Sequence, residues 1–377
     1  MLGGGANAIG RSITMAVTLG GILAGCLLAA TRAQVASPHA RPTTDAADAS
    51  PTTRPGRPVV TTVPAWLGRT PQEQSPPALC LGGGSLIVTI AGTPNANIAW
   101  ELRADKLTLA RGKTVLDTRG LGLARAVLPK VLVRNQAELS VSQGPIRWRR
   151  AIQILPSSPL RHVRETLRQR NLGVLDPCSN VCDALRDQRI AFVDLAPQLR
   201  HDFFQGEIAI LAGFDDANAL SHACLRLENR VRLGAALVVL NPPAGFRCLG
   251  ADRKELPDNE PKLLVKIDAE LTGTLRPGDF SALGQAGLVD TGDKAIVLAW
   301  LERPTSKHPT RQGATTRPAG TNAKRAIVAA RPLGKGIVLV ATMPELADCY
   351  DNPAGRCMLS EIILWILKRP WRPKENT

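Results

Sequence analysis

Three aspartates stand where a chain of alternating strands and helices places its chemistry. Asp176 follows the apolar run Leu172-Gly173-Val174-Leu175, and Asp215 and Asp216 follow the run Glu207–Gly213. Both runs read as buried strands, so all three carboxylates fall at strand ends, the edge at which open α/β sheets bind ligands. Paired carboxylates there could serve acid–base hydrolysis. The competing reading is that they cap the helices that follow. Thiols are the other candidate nucleophiles. Cys248 lies several residues past the strand Ala235–Leu240 and is a candidate displaced nucleophile. Cys178 and Cys182 are spaced C-x3-C, with no second pair and no histidine pair to complete a zinc ribbon, so no metal site is expected. His162, His201 and His222 are isolated and read as surface or helix-face residues. No phosphate loop, nucleophile elbow or dinucleotide fingerprint occurs, and no cofactor is expected.

Farther along, Gly334-Lys335-Gly336 turns into the apolar run Ile337–Thr342, which ends in Met343-Pro344-Glu345 ahead of a helix. This resembles the end of a class I glutamine amidotransferase-like domain, where a catalytic His-Pro-Glu sits at the tip of the last strands. Met343 stands in the place of the histidine, and a thioether does not relay protons. The resemblance also implies a cysteine on a strained turn after a central strand, with backbone N–H groups forming an oxyanion hole. Here the strand ending at Leu240 is followed by Asn241-Pro242-Pro243-Ala244-Gly245, which holds no thiol or hydroxyl and two residues without an N–H. Of the triad pattern only Glu345 remains, a carboxylate with no base to orient.

Two related groups share this degenerate pattern. Trehalose-utilisation-like proteins carry three glycines before the central strand and a histidine after it, where this chain has Arg232-Leu233-Gly234 and Asn241. The chain is more similar to modules found with β-galactosidase-like glycoside hydrolases, in which a small β-domain precedes the α/β domain. The resemblance implies the scaffold without its glutamine chemistry, and 377 residues leave no room for a sugar-cleaving domain as well.

The elements that must position these residues fall into segments. Residues 34–78 are rich in Pro, Thr, Ala and Ser and read as a disordered linker. Residues 79–156 carry short strands separated by turn residues, including Ser85–Ile90, Ile98–Leu102, Lys106–Leu109, Val131–Val133 and Ala137–Val141, and read as a small all-β sandwich. From 160 to 370 strands alternate with helices. Ser179 is placed to cap one helix, Ile190–Leu195 reads as a buried strand, and a final helix starts at Asp351-Asn352-Pro353. Continuous apolar strands between helices predict an α/β domain, a doubly wound, flavodoxin-like, mostly parallel sheet. Residues 303–323, rich in Thr, Pro and Arg, read as a disordered insertion.

Residues 1–33 read as a targeting segment: Arg11 precedes the apolar run Ser12–Ala30. Leu23-Ala24-Gly25-Cys26 matches a bacterial lipobox, which would make Cys26 the lipidated residue. The alternatives are cleavage after Ala33, giving a periplasmic or secreted soluble protein, and an uncleaved anchor. All three place the bulk of the chain outside the cytoplasm. A formal net charge of +15 invites a nucleic-acid reading, but the arginines are scattered and no recognition motif accompanies them, so attraction to an anionic envelope surface is the better use. These features predict an exported, membrane-anchored envelope protein whose inactive amidotransferase-like domain binds an envelope protein or a glycan. The alternative is a carbohydrate-active or amide hydrolase using Asp176, Asp215 or Asp216.

Overall fold

The eight-stranded sheet at the centre of the molecule draws its shape from runs of Ile, Val, Leu and Ala too apolar to leave either face in water. In the computed structural model the described residues are 59–67, 77–167, 170–199, 204–256, 264–271, 273–280, 287–290, 295–302 and 325–369. The export segment with Cys26, most of the 34–78 linker, His201 and the 303–323 insertion lie outside them. All described residues belong to one compact unit, Pro55–Thr377.

The chain begins in two small sheets. β1 (Val60–Trp66), β2 (Ala78–Leu81), β3 (Ser85–Ala91), β4 (Asn97–Ala104), β5 (Leu107–Val115), β6 (Leu121–Val127), β7 (Asn135–Gln143) and β8 (Ile146–Leu155) follow one another. They form a three-stranded sheet ordered β1-β3-β6 and a five-stranded sheet ordered β2-β8-β7-β4-β5. Side chains alternate across a strand, so Leu86, Val88 and Ile90 on β3 meet Trp100 and Leu102 on β4 and Leu139 and Val141 on β7 in one shared core.

Two expectations are corrected here. The 34–78 linker contains β1, which pairs in parallel with all seven residues of β3. Its β-branched Val60-Thr61-Thr62-Val63 suit a pleated strand, and Val63 and Ala65 are buried. Val131–Val133 forms no strand, and Leu132 and Val133 are exposed at 81% and 73%. Apolarity alone does not make a strand when no partner edge is in reach.

The second half supplies the large sheet. It comprises α1 (Arg161–Thr166), β9 (Leu172–Leu175), α2 (Asn180–Asp187), β10 (Val193–Asp194), α3 (Leu195–Leu199), β11 (Ile208–Leu211), α4 (Ala217–Arg232) and β12 (Ala236–Leu240). β13 (Arg247–Cys248), β14 (Ala251–Lys254), β15 (Leu264–Ile267), β16 (Leu288–Asp290), β17 (Ile296–Glu302), β18 (Arg325–Leu333), β19 (Gly336–Ala341) and α5 (Pro353–Lys368) complete it. The order is β10-β9-β11-β12-β19-β18-β17-β15. The first five strands are parallel, and in chain order they stand 2-1-3-4-5. The last three add on antiparallel. Expected as a buried strand, Ile190–Leu195 contributes only the two exposed residues of β10 before the chain turns into α3.

Alternation splits the sheet's side chains between two layers. Ile208, Ile210, Val238 and Leu339 pack with α1, α2 and α5, while Leu211, Leu237, Val239 and Val340 pack with α3, α4 and the small sheet β13-β14-β16. Burying one such Val, Leu or Ile side chain contributes about 1.5–3 kcal/mol. Asn352 Oδ1 accepts the N–H groups of Ala354 and Gly355, so α5 starts at Pro353 with its first donors satisfied. The two small sheets dock on the α5 side: Leu81 and Leu155 join the α5 layer, and Ser360 Oγ donates to Pro159 O at 2.7 Å.

Candidate functional site

At the carboxyl ends of the parallel strands the backbone needs of the helices decide where the polar side chains go. Asp176 leaves β9 and is 9% exposed. Its Oδ2 accepts the N–H groups of Val181 at 2.6 Å and Cys182 at 3.2 Å, so this carboxylate caps α2. Ser179, expected as the cap, has φ of 64° and makes no side-chain capping bond; its left-handed backbone brings the helix start under Asp176 instead. Asp176 Oδ1 makes no hydrogen bond. It faces Gly213, which has φ of +67° and where an added Cβ would lie 2.5 Å from that oxygen. Cys178 Sγ donates to Gly213 O at 3.2 Å, tying the ends of β9 and β11 together. Partial burial, with the charges of Asp215 and Asp176, pushes this thiol up, away from the thiolate a nucleophile requires.

Asp216 caps α4 by accepting from Asn218 N at 2.9 Å and Ala219 N at 3.3 Å, and Asp215 is exposed beside it. Asp216 and Asp176 thus belong to different helix starts. His162 and His222 are exposed, so neither described histidine enters this edge.

The turn after β12 keeps a strained form without reactive groups. Asn241 has φ of 42°, a left-handed conformation that Asn tolerates better than most residues. Its N–H donates to Ala341 O at 2.6 Å, and Arg253 Nη1 donates to Pro242 O. On the neighbouring strand Thr342 is fully buried and its hydroxyl donates to Gly287 O and Ile327 O. Met343 follows at 1% exposure and packs into the α5 layer, filling with a thioether the position next to the turn. Glu345 is 5% exposed in the 3-10 turn Pro344–Leu346. Cys248 is not at this turn; it ends β13 and is half-buried against α4.

Glu345 also lines a cleft of about 360 Å³ between the small sheets and the α5 side of the large sheet. Thr61, Leu79 and Arg150 line one side, and Asp348, Asp351 and Asn352 the other. Burial pulls the Arg150 guanidinium below its usual value. Partial burial, with the like charge of Asp351, holds Asp348 above its ordinary carboxylate value. Sequence reasoning missed this cleft, because its walls come from β1, β8 and the turn before α5. Of its lining residues the sequence singled out Glu345 and the helix start Asp351-Asn352-Pro353.

No protein-family model matches the chain, and no curated protein matches it. Among solved structures, a β-galactosidase from Bacillus circulans sp. alkalophilus is similar over 53% of this chain, at 13% identity and a TM-score of 0.28. The likeness is distant. The chain spans 33% of that enzyme's length. Among the described residues no group of His, Cys, Asp and Glu is arranged to hold a metal ion, and no helix is long and apolar enough to cross a membrane.

Proposed function

We propose that this is an exported bacterial envelope protein whose α/β half is a doubly wound, flavodoxin-like amidotransferase domain that has lost catalysis and serves as a binding module. Asn241 carries the reading. It sits in a left-handed turn directly after β12, where the resemblance implies the nucleophile, and it is followed by two prolines that offer no N–H to an oxyanion. The buried Met343 beside it supplies no base. Asp176 and Asp216 each cap a helix start, the use that competes with an acid–base pair.

The cleft between the sandwich and the α/β layers is the binding surface in this reading. Arg150, Glu345, Asp348, Asp351 and Asn352 offer donors and acceptors suited to the hydroxyls of a glycan. Titration calorimetry with neutral oligosaccharides checks this. Binding that weakens at least about tenfold in Arg150→Ala supports it, and unchanged binding in that variant moves the ligand elsewhere. Acylation of Cys26 would tether the module to the membrane, with several acyl chains giving stable attachment. Cys26→Ala then releases the protein from the membrane fraction, and an unchanged distribution removes the lipid anchor.

A further inference from the structure

Cys224 and Cys248 belong to elements that nothing in the sequence joins, yet the fold brings them together. Cys224 lies in the middle of α4, buried in the layer formed by Leu220, Leu227 and Val231. Cys248 ends β13 and packs, half-buried, on the same layer. Two hydrogen bonds stitch the elements beside the sulfurs. Ser221 Oγ donates to Arg247 O at 3.2 Å, and Cys248 Sγ reaches Ser221 O at 3.5 Å. Ser221 is three residues before Cys224, so the Cys248 sulfur rests on the same face of the helix. Both sulfurs therefore lie in one layer, Cys224 buried and Cys248 half-buried.

The hairpin that presents Cys248 is held firmly. Leu249 and Gly250 have φ of 53° and 75°, the two-residue connection whose twist matches a hairpin. A leucine pays strain in that region and persists there only when its surroundings fix it. Arg331 Nη1, reaching over from β18, donates to Gly250 O at 2.8 Å and supplies one such restraint.

We propose that Cys224 and Cys248 close into a disulfide that pins the segment replacing the catalytic turn, residues 241–246, against α4. The chemistry is thiol–disulfide exchange with a small disulfide such as glutathione disulfide. The neighbouring Cys224 thiol holds Cys248 below the ordinary thiol value, and Cys248 is the more accessible of the two. Cys248 attacks the glutathione disulfide and expels one glutathione thiolate. Cys224 then loses its proton, attacks the Cys248 sulfur of the mixed disulfide and expels the second. Two protein thiols are oxidised and one glutathione disulfide is reduced to two glutathiones.

The test uses the full chain, incubated folded in a glutathione/glutathione disulfide buffer, alkylated, and mapped by mass spectrometry without reduction. The expected result is a peptide linking Cys224 to Cys248. Cys224→Ser should instead accumulate a glutathione adduct on Cys248. Reductant should lower the Tm of the oxidised wild type by about 5–10 °C, given a closed loop of about 25 residues, and should leave Cys248→Ser unmoved. Should Cys224→Ser fail to fold, the half-exposed Cys248→Ser carries the comparison. Recovery of both cysteines alkylated in the folded wild type, or of Cys248 linked to another cysteine, overturns the assignment.

Discussion

Asp176 and Asp216 show how a carboxylate at a strand end serves the helix that follows it. Each accepts two N–H groups from the first turn of the next helix, donors that a helix start otherwise leaves unsatisfied. A cap of this kind stabilises by about 1 kcal/mol. Glu361 on α5 is a carboxylate at odds with its setting. Its Oε1 accepts from Thr274 N at 3.2 Å, but burial holds its pKa above the ordinary glutamate value. A raised carboxyl contributes stability that is fully present below the unfolded pKa and lost as pH rises through the folded one. Glu361→Gln keeps an acceptor for Thr274 and carries no charge. The variant should therefore be more stable than wild type at pH 7, with the gap narrowing toward pH 4 in thermal melts. A gap independent of pH would show that burial does not perturb this group.

Between elements a buried, two-pronged ion pair joins the small sheets to the second half of the chain. Arg134 donates to Asp279 through Nη1 at 2.5 Å and Nη2 at 2.9 Å, and its Nε reaches Gln153 Oε1 at 3.0 Å. The Asp279 side chain is 1% exposed. Arg134→Ala leaves that charge buried and uncompensated, at a cost of about 3–5 kcal/mol. Arg134→Ala with Asp279→Leu should cost clearly less than the sum of the single changes, as read by denaturant unfolding. Additive effects would show that the pair does not couple the halves.

These elements were legible to different degrees. The apolar runs at 172–175, 208–211, 236–240 and 337–341 coincide with strands because a strand buried on both faces needs no alternation. The same lack of alternation hid the antiparallel direction of β17 and β18, since a fully apolar run reads alike either way. β1 was hidden by Pro64 and its Pro- and Thr-rich flanks, and it becomes a strand only by pairing with β3. At the site, the sequence flagged Asn241, Met343 and Glu345. The cleft facing Glu345 depends on how the small sheets dock, and local pattern carries no trace of that.

Taken as a whole, the molecule places its two small sheets against the α5 layer, and at the carboxyl edge of its parallel strands sit two helix-capping carboxylates, two prolines and a buried methionine. In the proposed reading a base introduced alone at Met343 would still lack a nucleophile, because Cys248 lies away from the turn, against α4. Glutamine hydrolysis is the most direct measurement: glutamate and ammonia release by the purified full chain, its Met343→His variant and its Cys248→Ala variant. Rates indistinguishable from buffer in all three are the expected result. A glutaminase rate in the wild type that disappears in Cys248→Ala would contradict the loss of catalysis.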